Sequence, residues 1–141
     1  MKIRIEKPEN WDEYYGLRWL VLRKPWRQPK GSEKDDMEKK SVHRAAFIGN
    51  KMVGVARLHF NGIKEAQIRY MAVHPDYRRM GIGSRLLEEL EKIARKKKAE
   101  YIILNARENA VNFYLKNGYS IIGKSYVLYG TIQHYKMIKL L

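Results

Sequence analysis

Ile68-Arg69-Tyr70-Met71-Ala72-Val73, His74-Pro75-Asp76-Tyr77, Arg78-Arg79-Met80-Gly81-Ile82-Gly83-Ser84, then Leu86, Leu87, Leu90, Ile93 and Ala94: on this stretch the fold turns. The first six residues are a strand-like apolar run, the last five recur at helical spacing, and a proline and two glycines punctuate the ground between. The reading is strand, glycine-bearing turn, helix. Gly81 and Gly83 remove Cβ where backbone must come close to something, and the first helical N–H groups lack intrahelical partners. Those donors, the helix dipole and the charges of Arg78, Arg79 and Arg85 favour an anion such as a pyrophosphate. The same glycines also suit a tight turn that only packs the helix on its strand. No Gly-x-x-x-x-Gly-Lys-Ser/Thr loop is present, and Leu86 stands where a Gly-x-Gly-x-x-Gly fingerprint needs its third glycine, so P-loop and dinucleotide folds are unsupported.

Upstream, Arg44 to Gly49 and Met52 to Phe60 read as strands around Gly49-Asn50-Lys51, and Asn61-Gly62 signals a hairpin into a third strand, Glu65 to Val73. Earlier still, Asn10 and Glu13 have the spacing of a helix cap, with a helix from about 11 to 23. Pro25, Pro29 and Gly31 make residues 24 to 34 a loop, and Asp35 to Lys40 is charged loop or short helix. Met1 to Lys7 alternates apolar and charged residues like an edge strand and lacks the apolar core of a signal peptide.

Downstream of the helix at 82 to 97, Tyr101-Ile102-Ile103-Leu104 is a short apolar run suited to a buried strand parallel to Ile68 to Val73, giving a right-handed crossover. A short helix from Asn109 to Lys116 ends at Asn117-Gly118, and Tyr119 to Val127 with Gln133 to Leu140 close the sheet as an antiparallel pair. The fold class is α/β, a mixed sheet, in a single domain over residues 1–141.

The 29 lysines and arginines against 15 acidic residues give a formal charge of +14, which attracts any polyanion. A basic nucleic-acid-binding module is therefore the rival from another class, although no helix-turn-helix, zinc-finger or RNP pattern is present. The run Arg95 to Lys98 falls at a helix carboxyl end and reads as a solvated terminus. With no cysteine, disulfides, thiolate metal sites and a cysteine nucleophile are excluded. His43, His59, His74 and His134 have no metal-ligand spacing, and no metal is expected. No apolar run reaches the ~20 residues that cross a bilayer, so no membrane partner and a cytoplasmic location are expected.

Val73 through Gly83 resembles the signature of the GNAT superfamily of acyl-CoA-dependent N-acyltransferases, whose loop reads Gln/Arg-x-x-Gly-x-Gly/Ala. Asn105 and Asn109-Ala110-Val111-Asn112-Phe113-Tyr114, followed by Gly118-Tyr119, are similar to that family's Asn-x-x-Ala-x-x-Phe-Tyr-x-x-x-Gly-Phe/Tyr segment. The two motifs span roughly residues 44 to 140. The resemblance implies an antiparallel meander, a central parallel pair that splays apart, flanking helices and a carboxyl-terminal hairpin. It also implies acetyl transfer from acetyl-CoA to a primary amine by direct attack in a ternary complex, without a metal. A coenzyme A-binding protein without turnover is the third reading. The implied partner is a small-molecule or peptide amine, with no specific nucleic acid, and a homodimer is compatible with it.

By the same resemblance Arg78, Arg79, Met80, Gly81, Ile82, Gly83 and Ser84 hold the pyrophosphate. Met71, Ala72 and Val73 line the pantetheine, and the Val73 N–H polarises the thioester carbonyl. Asn105 is a cofactor contact or a strand terminus, and Asn109 a cofactor contact or a helix N-cap. Tyr114 matches the tyrosine that protonates the departing thiolate. A free phenol near ~10 against a thiol near ~8.5 makes full transfer uphill by about 2 kcal/mol, so Tyr114 needs a lowered pKa or acts by hydrogen bonding. On the strand entering the turn Gln67, Arg69 and Tyr70 take the central positions and only Glu65 is acidic, leaving no evident base and favouring an amine of lower pKa or a water relay. The acceptor side falls to the first helix, its following loop and the last hairpin. There Trp26 and Tyr129 are aromatic walls, Glu33 or Asp35 holds an ammonium or is exposed loop charge, and His134 is a base, a substrate contact or structural.

Overall fold

The computed structural model describes residues 2–141. Its strands are β1 (Arg4–Glu6), β2 (Val42–Ile48), β3 (Lys51–Phe60), β4 (Glu65–Val73), β5 (Tyr101–Arg107), β6 (Ser120–Leu128) and β7 (Ile132–Leu140), and its helices α1 (Trp11–Leu22), α2 (Ile82–Lys96) and α3 (Val111–Lys116). The strands form one sheet in the order β1-β2-β3-β4-β5-β7-β6. Neighbours are antiparallel except β4 and β5. The meander, crossover and closing hairpin are as the sequence implies, and β1 is the edge strand that the alternation of its residues suggests.

One core joins Leu86, Leu87, Leu90 and Ala94 of α2 and Tyr114 of α3 to Val53, Leu58, Ile68, Ile102, Leu104 and Met137 of the sheet. A smaller one on the opposite face joins Tyr14 and Leu17 of α1 to Ala45, Met52, Val55 and Ala72. Each fully buried leucine of α2 contributes about 1.5–3 kcal/mol, which is why that helix lies flat on the sheet. Gly54 sets how closely it lies: a Cβ there would stand 2.9 Å from Ile82 Cγ2 and 3.0 Å from Leu86 Cδ1. The amino end of α2 is thereby seated directly on β3, beside the turn that leads into it.

Helix α1 departs from its expected face. The Asn10 side chain accepts from the Glu13 N–H at 3.0 Å, as its spacing suggests. The buried stripe, however, is Tyr14, Leu17 and Arg18 rather than a purely apolar row, with Trp11 38% exposed. A guanidinium on that stripe needs partners from the sheet and the following loop, and it finds them there.

Candidate active site

In the turn after β4, Pro75–Tyr77 form one 3-10 turn, with His74 Nδ1 accepting from the Asp76 N–H at 3.1 Å. Arg79 (φ 63) and Gly81 (φ 79) then take left-handed backbone, which glycine adopts freely. Gly81 is the N-cap of α2 and no side chain caps the helix. The first helical bond runs from the Arg85 N–H to the Gly81 carbonyl at 3.0 Å, so the N–H groups of Ile82, Gly83 and Ser84 have no helical partner. A Cβ on Gly81 would meet no atom within 4 Å, so the space beside this N-cap is open. Gly83 serves differently. Its Cβ would stand 2.8 Å from Phe113 Cζ, so the missing side chain admits α3 against α2. Each of the two glycines answers one of the two sequence readings.

Beside this turn the sheet opens. Strands β4 and β5 pair only from Glu65↔Tyr101 to Gln67↔Ile103 and then part, leaving their facing edges unbonded toward their carboxyl ends. The register of β3 with β4 passes from Val55↔Ala72 to Arg57↔Arg69, which places one extra residue in β4. The bulge falls at Tyr70 (φ 62), a left-handed conformation that is uncommon for a bulky side chain. Beyond it, the His74 N–H donates to the Val53 carbonyl at 2.8 Å. Successive strand N–H groups point to opposite edges, so the Val73 N–H points into the splay. Side chains of Met71 and Val73 pack on the α2 core, leaving their backbone as the part that the splay presents.

Tyr114 lies in the single turn and a half of α3, 8% exposed, with its ring edge-on to Phe113 at 5.0 Å and to Tyr119 at 5.8 Å. Its hydroxyl makes no hydrogen bond among the described residues. Burial alone pushes its pKa upward, with no cation opposing it, so the lowered pKa that proton transfer needs is not what this environment produces. The phenol is instead a neutral hydrogen-bond donor at every physiological pH. Buried Glu91 of α2 fixes the frame around it, accepting from the Tyr119 hydroxyl and from Lys139 Nζ, both at 2.9 Å, while Lys139 also reaches the Asn117 carbonyl at 3.0 Å.

The α1 face of the sheet carries a buried ionic network. Arg57 of β3, fully buried, donates Nη1 to Asp35 Oδ1 at 2.6 Å and to Glu38 Oε2 at 2.9 Å, and Nη2 to Asp35 Oδ2 at 3.1 Å. Arg18 donates to the same Glu38 oxygen at 2.9 Å and to the Glu33 carbonyl at 3.1 Å. Desolvation alone raises the Asp35 pKa, but hydrogen bonds from Arg57 and the Met37 N–H and the nearby arginine charges outweigh it and hold it at about 2. The Tyr70 ring sits 4.5 Å from the Arg18 Cζ, 4.6 Å from that of Arg69 and 4.9 Å from that of Arg57. The loop after α1 is thus bolted to the sheet directly behind the bulge.

The sequence profile of the acetyltransferase (GNAT) family matches residues 11–119. The chain is 33% identical over 141 residues to an uncharacterised N-acetyltransferase, YjcF, of Bacillus subtilis, covering 99% of each. The chain belongs to the GNAT acetyltransferase family. An aminoglycoside 6'-N-acetyltransferase crystallised with coenzyme A has the same fold, at a TM-score of 0.82 and 20% identity, over 97% of this chain and 96% of that one. A GNAT acetyltransferase of Elizabethkingia anophelis with acetyl-CoA bound superposes at 0.72 and 16% identity, over 99% and 98%. At such identities the likeness is one of fold.

Within this GNAT fold several expected residues fall differently. Strand β5 runs on to Arg107, so half-buried Asn105 is mid-strand, opposite Lys136, and its alternation with Leu104 and Ala106 puts it on the α1 face. Asn109 caps nothing: it lies exposed in the 3-10 turn Glu108–Ala110, and the N-cap of α3 is Ala110. Counted back from Ala110, the asparagine of the Asn-x-x-Ala pattern falls on Arg107. Glu33 is buried and accepts from the Gly31 N–H at 2.7 Å through one oxygen, whereas both oxygens of Asp35 are taken by Arg57 and Arg69, so Asp35 is not free for an ammonium. Glu65 is held by Tyr101 and Asn61 at the closed end of the parallel pair. His134 lies within β7, stacked on Tyr126 at 4.3 Å with Nδ1 3.0 Å from the Ile132 carbonyl. Burial first and the Arg107 charge after it lower its pKa. Trp26 and Tyr129 stand beside Arg107 and Arg23, at 4.4 Å and 5.9 Å from the guanidinium carbons. Sequence reasoning missed those two arginines, Arg57 and the bulge. The visible signal for Arg57 is a lone cation inside the apolar run Met52 to Leu58.

Proposed function

We propose that the protein transfers an acetyl group from acetyl-CoA to a primary amine by direct attack within a ternary complex. The observation that carries the reading is the juxtaposition of uncapped N–H groups at Ile82, Gly83 and Ser84 with the unbonded edges of β4 and β5. An acyl carrier with a diphosphate and an extended amide-bearing arm matches both. The open space before Gly81 fits the diphosphate, with Arg78, Arg79 and the Met80 backbone around it. Met71, Ala72 and Val73 offer strand-edge groups to the arm, and the Val73 N–H supports charge on the thioester oxygen as the amine attacks the carbonyl carbon. As the C–S bond breaks, Tyr114 donates a hydrogen bond to the sulfur, and the amine's proton leaves to solvent. Coenzyme A in the crystal of one fold neighbour and acetyl-CoA in that of another support the choice of donor.

Calorimetric titration with acetyl-CoA at moderate salt, with duplex DNA as control, tests the binding half, and thiol release over an amine panel tests the turnover. Saturable acetyl-CoA binding with amine-dependent thiol release is expected. Salt-sensitive duplex binding with no acetyl-CoA heat would instead favour the basic module, and binding without thiol release a carrier.

A further inference from the structure

Two guanidinium groups stand on the α1 side of the splay with no carboxylate to meet them. Arg23, the C-cap of α1, is 7% exposed; its Nε donates to the Ser32 carbonyl at 2.9 Å and its Nη1 to the Leu22 carbonyl at 3.0 Å. Arg107 ends β5, and its Nη2 donates to the same Leu22 carbonyl at 2.9 Å. Two cations therefore converge on one oxygen. Among the described residues neither enters an ion pair, whereas Arg18 and Arg57 on the same face both do. Desolvation first, and the Arg23 charge after it, hold the Arg107 pKa below its ordinary value. Paired like charges in a partly desolvated place are unfavourable until an anion joins them.

The donors for that anion remain. A guanidinium carries five N–H groups, and the bonds above leave Arg23 Nη2 and Arg107 Nε and Nη1 without protein partners. Among the described residues the buried side-chain nitrogens that lack a partner are the Nε of Arg18 and Arg57, and none of these atoms is one of them, so solvent reaches them. Aromatic rings frame the pair: Tyr70 at 5.7 Å and Tyr129 at 5.9 Å from the Arg23 Cζ, and Trp26 at 4.4 Å from the Arg107 Cζ. Ile102, Leu104 and Ala106 turn into the core beneath α2, so Arg107 projects to the face opposite the diphosphate cradle.

We infer that Arg23 and Arg107 bind a carboxylate carried by the acceptor, which makes the acceptor a carboxylate-bearing amine, either a free amino acid or a peptide whose first residue is acidic. The inference rests on the acetyltransferase reading and adds the substrate class. Planar forks match a carboxylate with two parallel hydrogen bonds, and the aromatic frame restricts where the rest of the molecule lies.

Matched pairs test it: amino acids against their α-carboxamides, and short peptides beginning with Asp or Glu against those beginning with Asn or Gln, at saturating acetyl-CoA. The carboxamide of an amino acid has the more readily deprotonated amine, so a preference for the acid runs against intrinsic reactivity. The acid of at least one set is expected to show at least tenfold higher kcat/KM, chiefly through KM, and the set that does so identifies the source. Arg107→Gln is expected to bring that ratio within about threefold. Equal rates within both sets, or faster turnover of the uncharged members, would overturn the inference. Failure of the acetyltransferase reading looks different, with no acetyl-CoA heat and no thiol release from any amine. Calorimetric titration of the same pairs onto the protein then decides, and indistinguishable affinities for acid and amide would overturn it.

Discussion

Gly83→Ala separates two roles that glycine plays in this turn. The added methyl would stand 2.8 Å from Phe113 Cζ and 3.0 Å from its Cε1, inside the closest approach real Cβ atoms make, so either the ring or α3 must shift. Overpacking of this kind costs about 1–3 kcal/mol. Replacing glycine in a helix returns up to about 1 kcal/mol, and less in a first turn. The net expectation is a loss of about 1–2 kcal/mol, or roughly 3–6 °C per kcal/mol in Tm for a chain of this size. Thermal unfolding of the ligand-free protein reads it directly. The same change in a Phe113→Leu background is expected to be neutral or mildly stabilising, because the shorter side chain vacates the space. A Gly83→Ala protein of unchanged stability that had lost only acetyl-CoA affinity would refute this reasoning, since the glycine would then serve the ligand and not α3.

Tyr114→Phe removes a hydroxyl that makes no protein hydrogen bond, so stability should hold while turnover falls at least tenfold with the acetyl-CoA KM unchanged; undiminished turnover removes the tyrosine from the reaction. The pH dependence of stability has a defined sign. The folded pKa of Asp35, about 2, lies below its ordinary 3.8, so its contribution is present above about pH 4 and lost as pH falls toward 2. Allowing for its part-exposure, that is about 1–2 kcal/mol, and in Asp35→Asn this segment of a Tm against pH curve should be shallower by that amount. His43, His59 and His134 are all depressed, chiefly by burial, so the unfolded chain binds protons near pH 6.5 that the folded one does not, and Tm should already decline on acidifying below that value. A Tm constant from pH 7 to 4 would contradict their burial as neutral rings.

The chain order of strands and helices was legible because it rests on local signals. Asn10 caps where its spacing says, Asn61-Gly62 turns β3 into β4, and the leucines of α2 recur with a helical period. What escaped depends on contacts between distant segments. The bulge at Tyr70 arises from the register of β3 against β4, and nothing within Ile68 to Val73 announces it. Arg57 is a lone cation in an apolar strand, and its partners Asp35 and Glu38 come from a loop some twenty residues away in the chain. Gly83 was visible as a glycine, but its partner Phe113 lies in another helix. Arg23 and Arg107 come together only because α1 ends where β5 does.

Backbone amide resonances followed during titration with acetyl-CoA test the central claim most directly, since the proposed contacts are mostly main-chain N–H groups. The largest shifts should gather at Met71 to Val73 and at Met80 to Ser84, on either side of the splay. Saturable binding that left those amides unmoved, or moved instead the basic end of α2 at Arg95 to Lys98, would contradict it.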